Sequence, residues 1–368
     1  MSAPPGGRFL PRDRPSQRIS DHGPQVGGFL LNRRLKIALK SLAFLIAVGL
    51  VCGIVYEQIG RRRDRARLPQ IGRSVDIGGR TLNLSCSGIG GPPLVFESGG
   101  AGPGLGWEPL QAEVAKFTQA CWYDRAGEGW SDPGPFPRTS AAIARDLHEL
   151  LNRAGVPPPY VFAGASFGGL NSRAYGGLFP KEVAGMVLID STHEDEPLRA
   201  PKFCLGHTAP RFLWRPLCAA FEAAAFVGLV RFTQSSPAQG KDPSQMTRDE
   251  IIAALTQQPK SFVGNTSTGI VLPESLGEVE SLTRLGDFPL IVLTAGQSFD
   301  FGNAELNREA AAYQQVWIHE IQPKLVGLST RGRQIVVPNA THSTIPEEVI
   351  ISSVRQVVTE ARGEAARH

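Results

Sequence analysis

From Arg73 to Arg362 short apolar runs alternate with helical patterns, and that alternation confines the chain to a parallel sheet with crossover helices. A hairpin is expected over Ser74–Ser87, turning at Gly78-Gly79. Strands are then expected at Pro93–Ser98, Ala120–Asp124, Tyr160–Ala165, Val183–Asp190, Pro289–Ala295 and Gly332–Pro338. Helical patterns fill Trp107–Phe117, Thr139–Ala154, Phe167–Phe179, Glu305–Leu328 and Pro346–Arg362. Between Glu194 and Asp287 the alternation stops. That stretch (MTRDEIIAAL, SLGEVESLTRL) reads as helices and loops, so residues 74–193 and 288–368 form two halves of one sheet domain around an insertion at 194–287.

Net charge excludes one class of partner. Residues 1–73 hold 14 basic and 4 acidic side chains, net +10, whereas residues 74–368 hold 24 and 30, net −6. Phosphate binding needs a basic footprint on the folded domain itself, so no nucleic-acid partner is expected. The basicity belongs to the leader. Residues 1–34 are rich in Pro, Gly, Arg and Ser and cannot bury enough surface to fold alone. Leu42–Tyr56 then runs fifteen residues without a charge, inside an apolar stretch from Ile37 to Ile59 interrupted only by Lys40 and Glu57. With those two snorkelling, residues 35–59 are long enough for a spanning helix. Arg33, Arg34 and Lys36 flank it on one side, and Arg61, Arg62, Arg63, Arg65 and Arg67 on the other. Such flanks suit a membrane segment better than a core helix, and they leave orientation undecided by the positive-inside rule. No A-x-A site follows, which favours a retained single-pass anchor over a cleaved signal peptide. Residues 60–73 read as a basic linker.

Cys52 lies in the apolar stretch, leaving Cys86, Cys121, Cys204 and Cys218 in the body. Four cysteines fit two disulfides and a body outside the cytoplasm, and equally fit four buried thiols.

The chemistry concentrates at Gly164-Ala165-Ser166-Phe167-Gly168-Gly169, a G-x-S-x-G set between an expected strand and an expected helix. A strand turning that sharply into a helix holds the serine in a strained conformation, and side chains on the flanking glycines would collide with neighbouring strands. A serine hydroxyl needs a base near neutral pH. His342 stands a few residues after the last expected strand, in VPNATHSTIPEE, on a loop at the same sheet edge. His148 and His319 fall inside helices and His207 in the insertion. An oxyanion hole needs two backbone N–H groups: Phe167 supplies one, and the Gly-rich loop Ser98-Gly99-Gly100-Ala101-Gly102 the other, with Gly100 the first choice and Ala101 the next. No grouping of His, Cys and Asp has metal-ligand spacing, so neither a metal nor a cofactor is expected.

The stretch Tyr123-Asp124-Arg125-Ala126-Gly127-Glu128-Gly129-Trp130-Ser131-Asp132-Pro133-Gly134, followed by GASFGG and VLIDSTHEDE, resembles the α/β-hydrolase superfamily, and within it serine hydrolases with a YDRAGxGxSD loop. The resemblance covers about residues 74–362. It implies an α/β-hydrolase fold, an eight-stranded, mostly parallel sheet with a helical cap between strands six and seven. It also sets the strands of Cys86 and Cys121 side by side, so that a Cys86–Cys121 disulfide is expected, with Cys204–Cys218 as the second pair. Asp124 and Arg125 are expected to satisfy the loop backbone and each other. The triad acid usually follows strand seven in a G-x-x-D pattern, but three residues after Gly296 stands Phe299, with Asp300 next. Asp190, at the end of strand six, is the preferred acid and Asp300 the alternative. The expectation is a hydrolase of a small ester-like substrate acting through Ser166, His342 and Asp190. Ser at the nucleophile position disfavours the dehalogenase and epoxide hydrolase branches, which place Asp there. An amidase, peptidase or carbon–carbon hydrolase is the alternative within enzymes, and an inactive membrane-tethered binding module the alternative outside them.

Overall fold

The computed structural model describes residues 33–100, 102–200, 211–233, 242 and 245–365. It divides into two units, 1–49 and 50–368. Helix α1 (Arg33–Arg67) is continuous across its 35 residues. The residues expected as a basic linker therefore begin as helix. Arg is a good helix former, and Arg61 pairs with Glu57 one turn earlier at 2.8 Å, which extends the helix past the apolar stretch.

The body is one eight-stranded sheet of β1 (Arg73–Asp76), β2 (Thr81–Ser87), β3 (Leu94–Glu97), β4 (Ala120–Tyr123), β5 (Tyr160–Ala165), β6 (Val183–Ile189), β7 (Gly286–Ala295) and β8 (Ser329–Val337). Their spatial order is β1-β2-β4-β3-β5-β6-β7-β8. The β1–β2 and β2–β4 pairs are antiparallel, and every later pair is parallel. Helices α2 (Glu108–Val114), α3 (Ser140–Ala154), α4 (Phe167–Leu178), α11 (Ala304–Val316), α12 (Gln322–Val326) and α13 (Glu347–Ala365) connect or follow the strands. Between β6 and β7 lie α5 (Glu196–Arg199), α6 (Arg211–Phe226), α7 (Leu229–Thr233), α8 (Arg248–Thr256), α9 (Pro259–Ile270) and α10 (Leu272–Glu280), the helical insertion read from the broken alternation.

Side chains alternate across the strands, so each sheet face has its own core. Tyr160 and Phe162 pack with Val95, Leu188 and Val292 on one face, while Val161 and Ala163 pack with Leu94, Phe96 and Val187 on the other. Cys86 and Cys121 sit opposite each other in the β2–β4 ladder and form a disulfide. Cys204 lies outside the described residues, but Cys218 is a free, buried thiol whose pKa burial pushes up to about 11, so the expected Cys204–Cys218 disulfide is not formed.

The expected helix over Glu305–Leu328 forms from Ala304 to Val326, but not as a uniform α-helix. A π-helical turn, Trp317–Ile321, separates α11 from α12. Pro323 has no N–H to donate to the carbonyl of His319, so the regular ladder cannot pass through this point.

Candidate active site

Ser166 occupies the tight passage from β5 into α4, with φ 52° and ψ −120°. Its N–H donates to the Ile189 carbonyl at 2.9 Å, and its own carbonyl accepts from Gly169 at 3.0 Å and Thr192 at 3.1 Å. Those bonds hold a backbone conformation that an L-residue rarely adopts. The glycines around it are there because nothing larger fits. A Cβ at Gly168 would stand 2.2 Å from the Glu97 carbonyl oxygen, and one at Gly164 2.6 Å from the Gly168 oxygen.

Asp190 follows β6 directly and is the other non-glycine residue with positive φ, 42°, among those described. Its N–H donates to the Leu293 carbonyl at 2.7 Å, which ties the residue to β7. Its carboxylate is nearly buried and fully engaged. Oδ1 accepts from the Ala295 N–H at 2.9 Å and from Trp317 Nε1 at 2.8 Å. Oδ2 meets His342 Nδ1 at 2.6 Å. That hydrogen bond holds the His342 imidazole above its ordinary pKa, outweighing the opposite pull of burial. The His342 loop is fixed in turn by Gln297, whose N–H donates to the Ala340 carbonyl at 2.9 Å. Ser166, Asp190 and His342 line one cavity of about 220 Å³, which Phe299, Trp317 and Glu196 complete. Burial pushes the Glu196 carboxyl up, against the attraction of His342. No hydrogen bond joins Ser166 to His342.

Asp300 is elsewhere. It is exposed, and its Oδ1 accepts from the Gly302 N–H at 2.9 Å and from Asn307 Nδ2 at 2.7 Å, bonds that hold its pKa low. It caps its own loop and does not reach His342. His148 pairs with Glu182 at 3.0 Å, and His319 lies in the π-helical turn, both away from the cavity. His207 and Ala101 lie outside the described residues.

Arg125 departs from the expectation that it would pair with Asp124. Asp124 accepts instead from the N–H groups of Gly104 and Trp130 and from Asn83 Nδ2. Arg125 is fully buried between Glu97 at 3.4 Å and Glu128 at 3.0 Å. A buried guanidinium needs counter-charges, and those two glutamates hold it charged despite burial. Its remaining donors go to the carbonyls of Ser98 (2.6 Å), Gly99 (2.6 Å) and Gly100 (3.1 Å). The guanidinium also lies 5.6 Å from the centre of the Phe167 ring. Arg125 thus grips the loop after β3, directly beside Ser166: a methyl on Gly99 would stand 3.6 Å from Ser166 Cβ. Trp317 and Glu97 carry no motif, and no signal in the sequence marks them. Glu128 is legible only as part of the YDRAGEGWSD stretch.

Among the described residues, no group of three His, Cys, Asp or Glu side chains could hold a metal ion. Residues 92–223 match the family model described as the alpha/beta hydrolase fold. The Bacillus subtilis protein YbdG is 28% identical over 158 residues, which are 42% of this chain and 49% of YbdG. YqjL of the same organism is 24% identical over 262 residues, 71% of this chain and 80% of YqjL. An AB hydrolase superfamily protein of Gibberella zeae is 32% identical over 107 residues, 28% of this chain and 33% of that protein. The chain thus spans about half the length of YbdG and a third of the Gibberella protein. The solved structure of the epoxide hydrolase CorEH superposes with a TM-score of 0.52 at 15% identity, covering 78% of this chain and 98% of that one. At that identity the likeness is one of fold. By sheet order, family model and structural neighbour together, the chain has the α/β-hydrolase fold.

Proposed function

We propose that this chain is a serine hydrolase acting on an ester-like bond of a small molecule, through Ser166 as nucleophile, His342 as base and Asp190 as the acid that orients it. One observation carries the reading: the 2.6 Å contact of His342 Nδ1 with Asp190 in a cavity that also holds Ser166 at its strained turn. With Nδ1–H donated to Asp190, the free Nε2 can take the Ser166 proton as the oxygen attacks the carbonyl. The Phe167 and Gly100 amides would hold the oxyanion. The protonated His342 then gives its proton to the leaving group, and a water deprotonated by His342 frees the acyl group.

The fold's relatives support a hydrolase. Ser166, where the epoxide hydrolase branch places Asp, supports acyl transfer. A fluorophosphonate probe tests it: the full-length chain should label at Ser166, and Ser166→Ala should lose both labelling and ester turnover by several orders of magnitude. Wild-type turnover in that variant would overturn Ser166 as nucleophile, and a wild-type chain that neither labels nor turns over ester would leave the binding-module reading instead.

Helix α1 is read as a retained membrane anchor. Among the described residues it alone is long and apolar enough to span a bilayer. The Cys86–Cys121 disulfide favours a body on the oxidising side of that membrane.

A further inference from the structure

The second half of α1 does not stand clear of the body. Gly53 packs against the turn between α6 and α7 so closely that a Cβ there would stand 2.2 Å from the Val227 carbonyl oxygen. Gly228, at φ 75°, faces back: its own Cβ would lie 2.7 Å from the Gly53 oxygen and 3.1 Å from the Tyr56 ring. One turn further along, Arg231 Nε meets Glu57 Oε2 at 2.8 Å, and its NH2 meets Asp64 at 2.8 Å. Glu57, the single acid inside the apolar stretch, is completely buried by this arrangement. Small residues where backbones touch, with a charge pair neutralised beside them, is the packing chemistry of helices in lipid.

The contact point fixes a depth. Gly53 lies six residues before Ile59, where the apolar stretch ends. At 1.5 Å per residue that is about 9 Å inside the end of the stretch. On this helix half, Leu50, Val51, Val55, Tyr56 and Ile59 remain exposed, as an outer face in lipid would be. The α6–α7 hairpin meets the helix at that level, and its outside is mostly apolar, interrupted by the exposed charges of Arg215 and Glu222. Phe212 and Phe232 are 78% and 79% exposed, with Phe226 and Leu229 each about half exposed. The inward side of the same hairpin is packed by Trp214, Cys218, Ala225 and Val230, so these four are not spare core residues.

We propose that the α6–α7 hairpin is a second membrane contact, whose phenylalanine-rich outer face sits in the interfacial region of the bilayer that α1 enters. The partner is lipid acyl chain and headgroup boundary, which takes a partly apolar helical face without requiring a span. Continuity with α1 argues for lipid over a protein: any surface docked at the level of Gly53 is already beside the anchor's lipid-facing side. Substrate would then meet the insertion at the membrane surface, which suits an amphiphilic ester. This inference rests on the anchor reading, and its test separates the two.

The full-length chain would be placed in vesicles of phosphatidylcholine and phosphatidylglycerol with the photo-crosslinker p-benzoylphenylalanine at one position at a time. Leu45, in the apolar stretch, reports the anchor. Phe232 reports the hairpin, and Ile89, 89% exposed on the loop between β2 and β3, reports the aqueous body. Lipid adducts at 45 and at 232, each about tenfold or more above those at 89, are expected for a hairpin seated in the interface. Adducts at 45 but not at 232 would overturn the proposal and keep the anchor. Absence at all three would fell the anchor reading and this one with it. A Gly228→Val variant should lower the yield at 232 while leaving that at 45 unchanged, because the side chain pries the hairpin from the helix. Unchanged yield at 232 would count against docking through Gly53.

Discussion

Asp190 and Asp300 show what a single position decides. Both follow a strand and precede His342, and chain order cannot separate them. Asp190 has its backbone pinned to β7 and its carboxylate held by Ala295, Trp317 and His342. Asp300 spends its oxygen on Gly302 and Asn307. We therefore expect Asp190→Asn to lose roughly 10³–10⁴ in ester turnover through the wrong histidine tautomer. Asp300→Asn should stay near wild type. Steady-state rates of the two purified variants make the comparison, and a larger loss at Asp300 would reverse the assignment. The pH profile follows from the same contact. His342 is raised above its ordinary value of about 6.5 by Asp190, and only the neutral imidazole can accept the serine proton. The acid limb of kcat/KM should accordingly lie above pH 6.5, with activity rising as pH increases through it. The stability contribution runs the other way. The charged pair stabilises the fold fully below about 6.5 and is lost as pH rises through the raised value. A limb below pH 6 would contradict the pairing.

Among elements, the loop after β3, the turn after β4 and the start of α4 are joined by one guanidinium. Arg125 holds three successive carbonyls of the first, pairs with Glu128 in the second and stacks by Phe167 at the third. Burial pushes Glu128 up to about 7, so its charge depends on that partner. Removing the cation strands two buried carboxyls. Arg125→Met is expected to cost about 3–5 kcal/mol of stability, the range for breaking a buried pair on one side. Turnover should fall beyond what unfolding explains, because the proposed oxyanion loop is released. Chemical denaturation with rates measured on the folded fraction reads both, and a wild-type midpoint would mean that the glutamates find other partners. The π-helical turn Trp317–Ile321 also reaches the site. It begins at the residue, Trp317, whose indole donates to Asp190, so the interruption caused by Pro323 falls where the helix faces the acid.

For the molecule as a whole, the disulfide closes a stretch of 35 residues across β2 and β4. On the chain-entropy estimate a loop of that length is worth roughly 4 kcal/mol. Reduction should therefore lower the melting temperature of the full-length protein by several degrees without abolishing the fold, whose two cores lie on both sides of the sheet. Thiol counting on denatured, unreduced protein checks the bond itself. Titration of Cys86 and Cys121 as free thiols would remove the argument for an oxidising compartment.

The alternation of apolar runs by itself marked the strands of the sheet, and the G-x-S-x-G motif marked the strained serine. These are local matters: period, glycine where a Cβ cannot fit, and a strand that must turn into a helix. The Cys86–Cys121 bond was legible only through resemblance, since spacing says nothing of which strands become neighbours. The geometry around Asp190 and the true partners of Arg125 were decided by tertiary structure. Each depends on groups far apart in sequence: Asp190 meets residues 105, 127 and 152 positions away. A buried charge takes whichever counter-charge the fold delivers, and adjacency in a motif does not choose it. The contact of Gly53 with Val227 is of the same kind. Composition marks an apolar helix, but only packing determines that a hairpin rests against it inside its apolar stretch.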